Sequence, residues 1–165
     1  MNKLTLNVGC GERTYTEYPS GYKCINVDER NLPVVDHVLN VTDPLPFPDY
    51  HFDYILASDI IEHFPIPKTK KVLLNWLLKL KPGGIIEFRL PNLAKIIKHY
   101  KSEKGWKNAE YISWLLYGGQ DYSGNFHYVA FDRAWFKVVC SEVGLEEIDY
   151  KENGFNMIVK FRKGE

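Results

Sequence analysis

Apolar and polar positions follow one another along this chain in short blocks with two distinct periods. Leu4 to Val8 is an apolar run ending in Gly9-Cys10-Gly11, the pattern of a buried strand entering a glycine turn. Cys24-Ile25-Asn26-Val27-Asp28 predicts a second strand, Asp36 to Val41 a weaker third and Phe52 to Ala57 a fourth. Between Asp59 and Lys81 the period changes. Leu73, Trp76, Leu77 and Leu80 recur at helical spacing until Lys81-Pro82-Gly83-Gly84 breaks the helix. Ile85 to Leu90 predicts a fifth strand, and Asn92 is placed to cap a helix whose Leu93, Ile96, Ile97 and Tyr100 form one apolar face. Asn108 to Tyr117 predicts a further helix ended by Gly118-Gly119. The spacing of Trp106, Tyr111, Trp114 and Tyr117 there points to packing in a core or an interface. Asp132 caps a last helix with Phe136, Val139, Cys140 and Val143 on its apolar face and Gly144 as its stop. Leu145 to Tyr150 and Phe155 to Phe161 are closing strands joined by the Glu152-Asn153-Gly154 turn.

Strands alternating with helices predict an α/β fold with a doubly wound, mostly parallel sheet, and the closing hairpin places one antiparallel strand near an edge. The early crossovers are short, 15 residues from Gly9 to Lys23 and seven from Glu29 to Val35, where a helical crossover takes about a dozen or more. Helices are therefore expected to be reduced or missing there. Part of one sheet face then needs other cover, from Tyr15, Tyr18 and Tyr22 or from a second copy of the chain in a homodimer. Pro44-Leu45-Pro46-Phe47-Pro48 is too short for a linker and reads as a rigid loop.

Composition narrows the class. A length of 165 residues, 45% of them hydrophobic, suits a single domain with one core over residues 1–165. Basic and acidic residues balance at 21 each, which argues against general nucleic-acid binding and against a polybasic membrane anchor. Cys10, Cys24 and Cys140 lie far apart with no C-x-x-C pair, so no disulfide framework and no metal site is expected, and a reducing, cytoplasmic location is. No segment reaches the roughly 18 apolar residues of a membrane span.

A strand followed by Gly9-x-Gly11 is where a nucleotide-type ligand meets an α/β sheet, because glycines let the backbone approach the ligand at the carboxyl ends of the strands. The dinucleotide fingerprint requires a further glycine where this chain has Thr14, which disfavours a pyrophosphate and with it a nicotinamide dehydrogenase. Asp28, 17 positions after Gly11, is placed like an acid that accepts hydrogen bonds from ribose hydroxyls. A nucleoside without phosphates fits both facts.

Further stretches stand in order along the chain: Leu6 to Gly11, Gly21 to Asp28, Pro44 to Asp49 with Phe52-Asp53, Glu62-His63, Leu80 to Gly84, Pro91-Asn92-Leu93, and Tyr117 to Gln120 with His127 and Phe131-Asp132. Single items are common, but the ordered set over most of the chain resembles the class I S-adenosylmethionine (SAM)-dependent methyltransferases. Within them it is similar to a small methyltransferase type 11-like group often associated with glycan modification. The resemblance implies a Rossmann-like, seven-stranded sheet with SAM as cofactor across the ends of strands one, two and four. It implies cofactor contacts from Val8, Gly9, Cys10, Gly11, Asp28, Glu29, Asn40, Val41 and Ser58. Gly9 and Gly11 would meet the methionine portion, Asp28 the ribose, the Val41 NH the adenine ring, and Ser58 the methionine end. Asn40 stands where relatives usually place an aspartate for the adenine amino group, and a neutral acceptor there makes the weaker bond.

Methyl transfer from a sulfonium is governed by positioning and exclusion of water, and a base is needed only when the acceptor must lose a proton. Asp59, His63 and His127 are the candidates for that base, with hydrogen bonding in loops as their competing role. The expected function is methyl transfer to a small molecule such as a sugar or nucleotide-sugar, and the alternative is a SAM-binding module without turnover. Residues 28–62 carry a net charge of −7 and residues 63–107 one of +9. The acidic block coincides with the expected cofactor side, where a cationic sulfonium would be favoured.

Overall fold

The computed structural model describes residues 3–102 and 105–165, with the side chains of Gly105 and Trp106 outside the description. Seven strands form one sheet: β1 (Lys3–Val8), β2 (Tyr22–Asp28), β3 (His37–Val38), β4 (Phe52–Ser58), β5 (Leu80–Pro91), β6 (Leu145–Asn153) and β7 (Asn156–Lys163). Their order is β3-β2-β1-β4-β5-β7-β6, and all neighbours are parallel except β7, which runs antiparallel to both β5 and β6. This is the Rossmann-like α/β arrangement expected, with the antiparallel strand next to the edge. The strand order reverses between β1 and β4, the place where α/β sheets open a crevice at their carboxyl ends.

Among the described residues four α-helices accompany the sheet: α1 (Ile66–Lys79), α2 (Leu93–Tyr100), α3 (Ala109–Tyr117) and α4 (Arg133–Ser141). The predicted caps are in place. Asn92 Oδ1 accepts from the Lys95 amide at 3.4 Å and Asp132 Oδ1 from the Trp135 amide at 2.8 Å, each satisfying an orphan donor of the first turn. The chain leaves β4 through a 3-10 turn at Ile61–His63, and α1 starts only after Pro65. Lys81 to Gly84, expected to break the helix, is a bulge inside a longer β5: Phe52 pairs with Leu80, and the next register pair is Tyr54 with Ile85. The third strand is shorter than expected, reduced from Asp36–Val41 to two exposed residues.

No helix joins β1 to β2 or β2 to β3 among the described residues, and the two sheet faces have diverged accordingly. On one face Leu6, Ile55, Ile86, Phe88, Val159 and Phe161 pack against Trp76 and Leu73 of α1 and Phe136 and Cys140 of α4. The helical cover is thus on one side, where a doubly wound sheet has two. The other face presents Thr5, Asn7, Asn26, Tyr54 and Glu87, and a loop crosses it. A loop brings unpaired backbone groups, so the strand residues beneath it have to be polar. The Asn7 amide donates to the Arg13 carbonyl at 3.0 Å and to Asn26 Oδ1 at 3.0 Å. Asn26 exchanges hydrogen bonds with both backbone groups of Tyr15, and Thr5 Oγ1 donates to the Tyr18 carbonyl. Tyr18 and Tyr22 then lie edge-on to Tyr54, with ring centroids 6.0 and 6.1 Å apart. The tyrosine cover expected of this segment is present, so a second copy of the chain is not required to supply it.

Candidate active site

The carboxyl ends of the parallel strands surround a cavity of about 1010 Å³, of the size that holds a nucleoside-type ligand with room for a second small molecule. Gly9 to Arg13 enter it from β1, Asp28 to Arg30 from β2, Asn40 to Thr42 from the β3 exit, and Ser58 to Ile60 from β4. The segment from Gly118 to Tyr128 borders it from the opposite side, together with the β6-β7 turn. Of the residues expected to hold cofactor, Gly9, Cys10, Gly11, Asp28, Glu29, Asn40, Val41 and Ser58 all line this cavity. Val8 ends β1 with its side chain fully buried in the core and is not among the lining residues.

Gly9 and Gly11 take φ of +62° and +54°, a region costly to residues with a Cβ. A Cβ on Gly9 would also lie 2.6 Å from Ile60 Cδ1. Their turn is tied to β2. Asp28 Oδ2 accepts from the Gly11 amide at 2.7 Å, and Oδ1 accepts from the Arg30 amide and from Arg30 Nε, each at 3.0 Å. Burial opposes the Asp28 charge, but these bonds from Arg30 and Gly11 outweigh it and hold the carboxyl below the usual range. Arg30 in turn lies over the Tyr122 ring, 4.9 Å from its centroid, which links the β2 exit to the far loop. Burial and the charge of Asp28 push the Cys10 thiol up to about 11, so it stays protonated.

Asn40 is exposed, and its Oδ1 is committed locally, accepting from the Thr42 amide at 3.0 Å and the Thr42 hydroxyl at 2.7 Å. That Asx turn is pinned to α1, because Trp76 Nε1 donates to the Val41 carbonyl at 2.8 Å and Asn75 Nδ2 to the Thr42 carbonyl at 3.2 Å.

The three base candidates come together across the cavity from Asn40. Asp59, with φ +52°, accepts from Arg13 Nη1 at 2.8 Å on one oxygen and from Asn156 Nδ2 at 2.9 Å on the other. Its carboxylate is a brace between strand ends. His63 and His127 meet edge to face with centroids 4.7 Å apart. They meet because the amides of Tyr128 and Val129 donate to the Glu62 carbonyl at 2.8 and 3.3 Å, stitching the late loop to the β4 exit. His127 Nδ1 lies 3.0 Å from the Leu115 carbonyl, so it carries the proton and Nε2 keeps its lone pair. Burial, with His127 adjacent, lowers His63 to about 4. Burial likewise lowers His127, so both rings are neutral at pH 7.

Glu62 was missed as a site residue. It is 1% exposed, neither carboxylate oxygen has a hydrogen-bond partner, and His63 Nδ1 is equally buried and unpartnered. Burial, then the nearby Asp59 charge, drives Glu62 well above the ordinary carboxylate range. The signal for it was an acid set among Ile60, Ile61 and Phe64. Arg30 and Asn156 were missed as well, since their partners are supplied only by the fold. Tyr111, Trp114 and Tyr117, expected to pack in a core or an interface, are about half exposed and so not in the core; Ile112 and Leu115 take the buried side of α3. Tyr111 and Trp114 stack at the cavity mouth, with ring planes 11° apart. Trp106 of the same set lies outside the described side chains.

Comparison with known proteins places these features. Residues 2–157 match a family model described as a methyltransferase domain. None of the curated proteins matches the chain. Among solved structures, the 1,6-didemethyltoxoflavin-N1-methyltransferase of Burkholderia thailandensis, with bound 1,6-didemethyltoxoflavin and S-adenosylhomocysteine, superposes with a TM-score of 0.70 at 13% identity, over 98% of this chain and 71% of that one. A SAM-dependent methyltransferase of Methanosarcina mazei gives 0.68 at 13% identity, over 99% and 94%. One from Archaeoglobus fulgidus gives 0.64 at 15%, over 98% and 86%.

Proposed function

The chain belongs to the methyltransferase domain family, and from that premise we propose that it transfers a methyl group from S-adenosylmethionine to a small-molecule acceptor. The observation that carries the reading is the junction of the Gly9-Gly11 turn with Asp28 at the strand-order reversal, open to a cavity whose other side holds two neutral histidines. The residues present suit the cofactor. The turn at Gly9 and Gly11 brings backbone to the cavity wall, and the Asp28 carboxylate, with three donors already on it, keeps one lone-pair direction for a ribose hydroxyl. Cys10, Glu29, Asn40, Val41 and Ser58 complete the cofactor side, with the backbone at Asn40–Val41 in place of the committed Asn40 carbonyl. When bound, SAM supplies a methyl group already activated on a sulfonium.

The chain's own residues then have to orient and dehydrate. The Trp76 and Asn75 bonds fix the Val41–Thr42 loop, and the Arg30–Tyr122 contact draws residues 118–128 across the opening. The exposed Tyr111–Trp114 pair at the mouth offers flat apolar faces to an acceptor ring, which suits the sugar or nucleotide-sugar that the family resemblance implies.

Isothermal titration with SAM, S-adenosylhomocysteine and NAD tests the ligand first. Binding of the first two and not the third is expected, and no heat with either of the first two overturns the proposal. Release of S-adenosylhomocysteine across a panel of sugars and nucleotide-sugars then separates an enzyme from a binding module.

A further inference from the structure

Glu62, His63 and His127 form a cluster that the cofactor side does not use. Each offers one donor atom, and the three donors lie within 4.8 Å of one another. Three independent features of the cluster are unfinished. The Glu62 carboxylate is buried with both oxygens unbonded, His63 Nδ1 is buried and unbonded, and His127 Nε2 is left with a lone pair because Nδ1 donates to the Leu115 carbonyl. A proton on Glu62 would reduce its desolvation cost, yet it would leave the remaining acceptors idle. One cation would satisfy all three groups.

We propose that Glu62, His63 and His127 bind a first-row divalent metal ion at the acceptor side of the cavity. Two imidazoles and one carboxylate favour zinc, cobalt, iron or manganese over calcium and magnesium, which prefer all-oxygen sites. The carbonyl of Leu115 plays the part expected of a supporting group, fixing the tautomer and orientation of a ligating histidine. With metal–ligand bonds of about 2.1 Å, two donors on one ion lie at most about 4.2 Å apart. In a tetrahedral or facial set, which leaves positions open, the donors stand about 3.0–3.4 Å apart, so a pair at the 4.8 Å limit closes by about 1.4–1.8 Å, within reach of side-chain rotation. His63 and His127 line the cavity and Glu62 lies beneath them, so protein ligands come from the wall and open positions face the ligand space. The species taken there is an acceptor bearing a hydroxyl. That last assignment rests on the methyltransferase reading; the metal site itself does not.

The test uses the whole chain after dialysis against a chelator and then into chelator-free buffer. Titration with cobalt(II), followed by its visible absorption, and with zinc(II), followed by calorimetry, is expected to saturate at about one equivalent per chain. Glu62→Gln and His127→Gln are each expected to weaken cobalt binding by more than the roughly 10- to 100-fold that loss of a supporting group costs. His37→Gln, at an exposed histidine elsewhere, should leave it unchanged. SAM titrated into the same samples separates the two proposals. Metal binding without SAM binding overturns the methyltransferase reading alone, and SAM binding without metal binding overturns the metal site alone. Cobalt or zinc binding that survives both substitutions also overturns the site. Should either variant fail to fold, the wild-type cobalt spectrum decides: bands of a nitrogen- and oxygen-ligated ion support the site, and the spectrum of the hydrated ion overturns it.

Discussion

Gly9 sits where two constraints coincide: a φ of +62° and an Ile60 side chain occupying the space of any Cβ. Gly9→Ala is expected to cost about 1–2 kcal/mol for the backbone alone, with more for moving Ile60. Both the thermal midpoint and SAM affinity should fall, as calorimetry on the two proteins would show. Asp28→Asn keeps the shape but removes the charge that Arg30 and Gly11 hold, so SAM affinity should drop by about 1.5–3 kcal/mol; an unchanged Kd would take Asp28 away from the ribose. Both residues were legible in the sequence because their signal is local, a glycine turn and an acid 17 positions on. Glu62 was not. What makes it unusual is burial under a loop more than 60 positions away, sewn on by the amides of Tyr128 and Val129. The partners of Asp59 were hidden for the same reason, since Arg13 and Asn156 lie far from it in the chain.

At the level of elements, the short crossovers announced missing helices, and the caps Asn92 and Asp132 announced helix starts, because each depends on chain length or on a bond within four residues. The polar sheet face was opaque. Asn7 and Asn26 read as ordinary strand positions until a helix-free loop gives them donors and acceptors to satisfy. Glu87 is the charged centre of that face. It accepts from Tyr54 at 2.6 Å, from Tyr18 at 2.8 Å and from Arg89 Nε at 2.7 Å. Burial works against its charge, but these three partners hold the carboxyl below its ordinary range. A carboxyl depressed on folding stabilises fully above its unfolded value, and the gain is lost as pH falls through the folded one. Glu87→Gln should therefore cost about 1–3 kcal/mol at neutral pH. Urea unfolding should show the gap from wild type narrowing below about pH 4. A gap constant from pH 7 to 3 would deny Glu87 its charge in the folded state.

Across the whole molecule, the charge halves of the sequence do not become two faces of opposite sign. Asp49 of the acidic block pairs with Lys79 at 2.6 Å, and Asp53 with Lys81 at 2.7 Å, near the amino end of β4 and away from the cavity. Asp53 also accepts from the Leu4 amide at 2.9 Å, which braces the start of β1 against β4. Around the cavity Glu12, Asp28, Glu29 and Asp59 face Arg13, Arg30 and Lys68, a nearly balanced set. Steering of a cationic cofactor by a broad acidic surface is thus replaced by short-range contacts. SAM affinity is expected to change by less than about threefold between about 0.05 and 0.5 M salt, where a field from unpaired charges would be screened much more strongly. Calorimetry at the two ionic strengths checks this.

The placement of the aromatic side chains also gives the protein two optical populations. Trp76 is fully enclosed beneath the sheet on the helical side, while Trp114 is 54% exposed at the cavity mouth. Ultraviolet excitation should therefore draw blue-shifted emission from the first and red-shifted emission from the second. A molecule entering between α3 and the strand ends would dim the share of the red component that Trp114 supplies, while the blue one and the emission of Trp135, 38% exposed on α4 outside the cavity lining, stay standing, so an acceptor is detectable by colour before its chemistry is known.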